Sequence, residues 1–259
     1  MLKTLVVEQQ GVIEPHGDVR GAEAVWSSVL RDHGFKGDPS TTIIKGKESQ
    51  RKVSLNEEET VTLTVNAGSA SGFCVNDKSC HMVCVVEKGG NALYPAVQRA
   101  RQARGEFLYR DPAAFATVLH RDLQRFTARG VRYIRPNTNS DVAWERVFPW
   151  MFDMVRGYDY TKRVDRVGWM HDNYRVTYSA TSATRDAQVQ RIVDNGDTVT
   201  MVFPIKKGQP MIAERRGVPV IDGDVTDFRY GDPSGVIVGL RAKAGLVGKT
   251  EHPLLSTVA

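Results

Sequence analysis

Residues 111–141 read DPAAFATVLHRDLQRFTARGVRYIRPNTNSD, and the fold class follows from them. Asp111 followed by Pro112 is a helix start, a capping side chain ahead of a proline in the first turn. Phe115, Val118, Leu119, Leu123 and Phe126 recur at helical spacing and form one apolar face. Gly130 closes the helix, residues 131–135 read as a short strand, and residues 136–141 form a polar turn at its end. The unit is a helix feeding a strand that stops in polar side chains.

The same unit recurs on both sides. Upstream, residues 61–65 (VTLTV) alternate as a half-buried strand, and residues 94–109 read as a basic helix with Pro95 in its first turn. Downstream, the polar turn caps a helix over residues 142–156, closed by Gly157, and residues 158–162 read as a strand end. Residues 174–179, 198–203, 218–221 and 236–240 are further strands, with a helix over residues 184–194. Strands separated by helices predict a parallel sheet, because antiparallel neighbours need no crossover. No Gly-x-Gly-x-x-Gly or Walker-type loop occurs at a strand end, which counts against a nucleotide-binding open sheet.

Polar residues follow nearly every predicted strand: Asn66, Asn137, Asp141, Lys162, Ser179, Lys206, Asp222, Asp224 and Arg241. In a (β/α) barrel such positions converge on one mouth. The expected fold is therefore α/β, a closed or incomplete (β/α) barrel-like domain over residues 59–245. Residues 1–58 read as an N-terminal appendage, with a strand over 2–8 and a helix over 22–33, and residues 246–259 as a C-terminal tail.

Composition bounds the function classes. A chain of 259 residues with 41% hydrophobic and 25% charged residues is an ordinary globular protein. It has no apolar run of about eighteen residues and no apolar leader, so a cytoplasmic protein without a membrane span is expected. Net charge is +5, and nine arginines fall between Arg99 and Arg135. Arginine forks suit phosphate, so Arg99, Arg101, Arg104, Arg121 and Arg125 are candidate contacts to DNA or RNA, against the plainer reading of solvated helix faces.

Three constellations could carry chemistry. Cys74, Cys80 and Cys84 are the only cysteines and sit with His81 in one loop after the first predicted barrel strand. Clustered thiols in a cytosolic chain speak against a disulfide framework and for a metal site or buried thiols. Thiolates suit zinc or an iron–sulfur cluster. Asn137, Asn139 and Asp141 offer either a helix cap or a sugar- or base-binding turn. Asp222 and Asp224, with Asp227 beyond them, are an Asp-rich turn or a carboxylate pair whose pKa values are pushed apart for acid, base or nucleophilic work. Tyr160 and Lys162 offer a ring and a cation to a base and a phosphate, with Ser179 and Arg241 on the same expected rim.

Taken in order, the cysteine loop, N-x-N-S-D-x-x-W (residues 137–144), Y-D-Y-T-K (158–162), V-I-D-G-D (220–224) and V-I-V-G-L-R-A-K (236–243) resemble an actinobacteriophage protein family of the numbered gene-product type. The likeness covers roughly residues 55–245. Some phages of this type carry base-modification enzymes, including barrels similar to tRNA-guanine transglycosylases that place 7-deazaguanines in DNA. That resemblance implies an aspartate nucleophile, a second aspartate at the incoming base and a Cys/His zinc site. Asp141, Asp222 and Asp224 are the candidate carboxylates here, and Cys74, Cys80, Cys84 and His81 the candidate zinc ligands. The cysteines lie near the start of the expected barrel, whereas those of the transglycosylases lie near its end.

The expectation is thus a phage enzyme exchanging a nucleobase on DNA in the host cytoplasm, with a modified base as small-molecule substrate. The alternatives are a radical S-adenosylmethionine-like iron–sulfur enzyme, whose usual C-x3-C-x2-C spacing differs from the C-x5-C-x3-C found here, and a non-enzymatic nucleic-acid or host-protein binder with structural cysteines.

Overall fold

The computed structural model describes residues 3–36, 42–46, 60–63, 72–74, 84, 94–168, 172–243, 246–249, 251–252 and 255–256. Helices α1 (Lys3–Glu8) and α2 (Val19–Asp32) precede strands β1 (Ile44–Lys45) and β2 (Thr60–Leu63). Two long helices follow, α3 (Pro95–Arg110) and α4 (Pro112–Thr127), then β3 (Tyr133–Arg135), α5 (Trp144–Val147), α6 (Met151–Met154) and β4 (Arg156–Thr161). The chain continues through β5 (Tyr174–Ser179), α7 (Asp186–Asp194), β6 (Val199–Phe203), β7 (Glu214–Arg215), β8 (Val218–Asp222) and β9 (Ile237–Arg241).

These strands form a nine-stranded, mostly parallel sheet in the order β1-β2-β3-β4-β5-β6-β9-β8-β7. From β2 to β6 each strand lies beside its predecessor, parallel to it, with Val61 opposite Ile134 and Gly157 opposite Tyr174. Right-handed crossovers in one direction place their helices on one face. The winding then reverses, because β9 lies between β6 and β8. Among the described residues the sheet does not close: β1 and β7 are its edges, each antiparallel to one neighbour. The expected parallel α/β architecture is present, and the reversal after β6 leaves the sheet open.

The helical face holds the larger core. Trp26 stacks on Phe107 at 5.2 Å, and Phe115 stacks on Trp144 at 6.2 Å and on Phe148 at 6.0 Å. All five are essentially excluded from solvent, and each such burial contributes roughly 2–3 kcal/mol. Trp26, Val29 and Leu30 of α2 and Val7 of α1 belong to this same core. The segment read as an appendage is therefore packed against α3 and α4. Glu8 fastens it to the sheet: its carboxylate accepts from the Ala143 amide at 2.9 Å and from the Arg163 fork at 2.6 and 2.9 Å. Residues 2–8 were expected as a strand, yet Lys3–Glu8 is helical, with Val7 fully buried.

A second correction concerns residues 142–156, expected as one helix. Pro149 lacks an amide proton and divides it into α5 and α6, and Arg156 already starts β4. Gly157 is then no helix stop. It lies within β4, beneath the Phe152 and Tyr174 rings, which stack at 4.0 Å. An added methyl group there would overlap the Phe152 ring and approach Tyr174 Cδ2 to 2.7 Å.

Side chains alternate along strands, so Tyr133, Arg135, Tyr158, Tyr160 and Arg175 face away from the helices. Residues 223–236, linking β8 to β9, cross this second face. Phe228 packs edge-on against Tyr133 at 4.8 Å and Tyr158 at 5.4 Å, Asp227 pairs with Arg135, and Arg175 donates to the Asp232 carbonyl at 2.9 Å. A right-handed return from β8 to β9 runs against the earlier winding, which places it on this face.

Candidate functional site at the strand ends

Two polar constellations occupy the carboxyl ends of the parallel strands, where α/β proteins keep their ligands. The first lies after β3 and β4. Asn137 organises its turn: its Oδ1 accepts from Ser140 Oγ at 2.8 Å, Val142 N at 3.0 Å and Trp144 Nε1 at 3.0 Å, and its Nδ2 donates to the Val142 carbonyl at 2.8 Å. An amide with so many internal partners shapes the loop and leaves little for a substrate. Asn139 is half-buried beside it.

Asp141 is 6% exposed and equally occupied. Its Oδ1 accepts from Thr161 Oγ1 and Arg166 Nη1, both at 2.7 Å, and its Oδ2 from the Lys162 amide at 3.0 Å. Its own amide donates to the Phe73 carbonyl at 2.9 Å, which brings the residue preceding Cys74 against it. Fully buried Arg166 reaches onward to Glu145 through two bonds of 2.9 Å and to the Tyr174 hydroxyl at 2.8 Å. Tyr174 in turn donates to Asp159 Oδ2 at 2.7 Å, while Asp159 Oδ1 accepts from the Asn137 amide at 2.8 Å.

Three carboxylates thus surround one guanidinium. Burial pushes Asp159 up to about 7, against the opposing pull of Arg166, so the network holds a proton near neutrality. Burial disfavours the Arg166 charge, but Tyr174, Glu145 and Asp141 outweigh it and keep the group cationic. Lys162 closes the constellation, its Nζ 3.3 Å from the Ser179 carbonyl and hydroxyl on β5.

The second constellation lies after β8 and β9. Arg241 forks onto Asp222, Nη1 to Oδ1 and Nη2 to Oδ2 at 2.7 Å each, and Nη1 also lies 3.2 Å from Asp224 Oδ2. The Arg241 amide donates to Asp224 Oδ2 at 2.9 Å, the Asp224 amide to Asp222 Oδ1 at 3.1 Å, and Lys243 pairs with Asp224. The Arg241 hydrogen bonds hold Asp222 below the usual carboxylate range. Asp224 lies below it too, since Lys243 and Arg241 outweigh the upward push of its burial. The Asp222 side chain is 31% exposed, against 7% for Asp141. Asp227, read with these two from the sequence, is instead drawn to Arg135 on the second face.

Both constellations line one rim, with β5 and β6 between β4 and β9, so about 14 Å of sheet separates them. Tyr160 is not on that rim: its ring takes the Arg135 guanidinium at 5.1 Å. The arginines divide. Arg99 and Arg125 are exposed, the former over the Phe35 ring at 6.0 Å. Arg101, Arg104 and Arg121 are 4–6% exposed, and Arg121 pairs with Glu23 and Asp122. All five were read as surface contacts to phosphate, but the stems of Arg101, Arg104 and Arg121 are buried on α3 and α4.

Of the cysteine loop, Cys74 and Cys84 are half-buried and outside any disulfide. Asn66, Cys80 and His81 lie outside the described residues. Among the described residues no group of three or more His, Cys, Asp or Glu is placed to hold a metal ion, and no helix is long and apolar enough to cross a membrane. Sequence reading missed Glu145, Asp159, Arg166 and Tyr174 as one cluster. The usable signal was Asp159, an acid at an alternating position of a strand otherwise occupied by Tyr158 and Tyr160.

Fold and rim together define an α/β protein with a mostly parallel sheet and charge-paired aspartates at its strand ends. The chain matches the family model of Gene product 88 over residues 40–253 and belongs to that phage-type family. No curated protein and no solved structure matches it.

Proposed function

We propose that this protein is a nucleic-acid-modifying enzyme that exchanges a nucleobase on DNA, in the manner of a guanine/7-deazaguanine transglycosylase. The observation that carries the reading is the Asp222–Arg241 fork: an ionised, partly exposed carboxylate at the end of a parallel strand, oriented from both oxygens. Asp222 attacks the sugar C1′, the glycosidic bond breaks, and its electron pair leaves on the departing guanine, which takes a proton from Lys243. The incoming base then attacks C1′ through its own ring nitrogen and displaces the carboxylate, and its proton returns to Lys243. Asp224 holds Lys243 and Arg241 in place for both halves.

Asp141 receives a different role from the one the resemblance implies. With three hydrogen bonds on its two oxygens it positions the β4 rim, and Lys162 and Ser179 extend that rim toward the substrate. The target base reaches the rim by flipping out of the duplex. Zinc, held by Cys74, Cys80, Cys84 and His81, would brace the loop after β2, and no step of the exchange passes through it. The test is mass spectrometry of nucleosides from duplex DNA incubated with the protein and isotope-labelled guanine or a 7-deazaguanine base. The parent incorporates label and Asp222→Asn does not; label incorporation by Asp222→Asn at the parent rate overturns the reading.

A further inference from the structure

The amino ends of β3, β4 and β5, opposite the Asp222 rim, carry a row of arginines. Arg132 precedes β3, Arg156 opens β4 and Arg175 is the second residue of β5. All three are exposed, and none pairs with a carboxylate among the described residues. The Arg156 amide donates to the Arg132 carbonyl at 3.0 Å. Arg156 and Arg175 both lie over the Tyr230 ring, 5.6 and 5.3 Å from its centroid. Tyr230 is itself held, tilted against Tyr133 at 5.3 Å, with its hydroxyl donating to the Asp172 carbonyl at 3.4 Å. The three cations form one short ridge, two of them ordered on a single ring.

A recess lies on each side of that ridge. One, of about 350 Å³, is lined by Arg132 and Arg156 with Val131, Phe152, Met154 and Asn173. The other, of about 320 Å³, is lined by Arg175 with Tyr174, Val176, Asn195, Thr198 and Arg229. Both fall within the roughly 300–1,000 Å³ of small-ligand sites. The second exists because β5 pairs with β6 only from Tyr178, which leaves the Tyr174–Val176 edge open. The Tyr178 amide donates toward β6, to the Thr198 carbonyl, so two residues earlier the Val176 amide points the same way, into the recess. Arg229, 2% exposed, adds an Nε with no hydrogen-bond acceptor. Acids line the recesses too, Asp153 the first and Asp172 and Asp197 the second. They repel a phosphate and accept from a base amino group, which keeps anions on the ridge and suits bases to the recesses.

We propose that this end of the sheet binds a single strand of nucleic acid, its phosphates on Arg132, Arg156 and Arg175 and its bases in the two recesses. Neighbouring strands lie about 4.8 Å apart, so arginines on three of them track a backbone rather than converge on one phosphate. A duplex offers phosphates to the ridge, but its paired and stacked bases cannot enter the recesses. The surface lies a strand length, roughly 20 Å, from the ends that carry the Asp222 rim, and it does not depend on base exchange.

The test is fluorescence anisotropy of the full chain with a short labelled single strand of DNA, its abasic counterpart and the duplex of the same sequence, over a salt series. The single strand is expected to bind at least tenfold tighter than either of the others. Arg132→Met and Arg156→Met each weaken it at least fivefold and lower the salt slope by about 0.7, the share of one phosphate contact. Lys206→Met, which removes an exposed charge beyond the carboxyl end of β6, leaves binding unchanged. A duplex or abasic strand bound as tightly as the single strand, both arginine variants binding like the parent, or an equal loss in Lys206→Met would each overturn the proposal.

Discussion

The amide of Asp141 donates to the carbonyl of Phe73 at 2.9 Å. Residues 68 positions apart in the chain are thereby joined where the cysteine loop meets the end of β4. Cys74 follows Phe73 directly, so at least this thiol borders the rim, while the Asp141 carboxylate holds Thr161, Lys162 and Arg166 on the other side.

Asp141→Ala is accordingly expected to act on stability and on the loop together. It leaves Arg166 short of one carboxylate in a buried setting, which costs about 3–5 kcal/mol. Urea denaturation measures that loss. Cys74 is expected to react faster with a thiol reagent in the variant, as the rim beneath Phe73 loosens. Equal labelling rates in variant and parent would show that the loop stands independently of the Asp141 network.

The proton on Asp159 gives a pH dependence with a definite sign. Burial raises its folded pKa to about 7, against an unfolded value near 3.9, so between those values the folded chain binds the extra proton. Stability from this group is full below about pH 4 and is lost as pH rises through about 7. Asp232, pushed up to about 6 by burial, contributes with the same sign. Asp159→Asn removes the larger one. The stability of the variant relative to the parent is expected to improve by on the order of 1–3 kcal/mol from pH 4.5 to pH 8. Denaturant melts at the two pH values check this, and a constant difference would mean that Asp159 titrates normally.

Gly157 makes a prediction about packing alone. Gly157→Ala inserts a methyl between the stacked Phe152 and Tyr174 rings and is expected to destabilise by about 1–3 kcal/mol, with no effect on the Asp222 rim. An unchanged denaturation midpoint would mean that the two rings separate freely.

How far the residues alone lead is visible element by element. The Asp111-Pro112 cap was legible because it is local: Asp111 Oδ1 does accept from the Ala114 amide at 2.9 Å, and α4 begins at Pro112. The strand-end position of Asp141, Lys162 and Asp222 was legible from the recurrence of polar residues after apolar alternation. The division of residues 142–156 was missed because a polar capping turn before them and Gly157 after them frame one helix, whereas Pro149 between the two breaks it. The burial of Arg101 and Arg104 was missed for a different reason. A long arginine stem serves equally well on a surface or beneath a neighbouring helix, and only tertiary packing decides. The Arg166 network joins residues from Asn137 to Tyr174, a span across which no sequence period operates.

The fork on Asp222 separates charge from geometry. Arg241→Lys keeps a cation but cannot reproduce two parallel bonds to one carboxylate, so the loss should exceed what charge alone implies. With Asp222 as the nucleophile proposed above, base exchange is expected to fall on the order of 10²-fold, chiefly in kcat, since orientation of a nucleophile matters more in the transition state than in the ground state. Arg241→Met should fall further and raise the Asp222 pKa, moving the acid limb of the rate profile upward. If Arg241→Lys and Arg241→Met both exchange base at the parent rate, the fork only ties β8 to β9 and the nucleophile must be sought elsewhere on the rim.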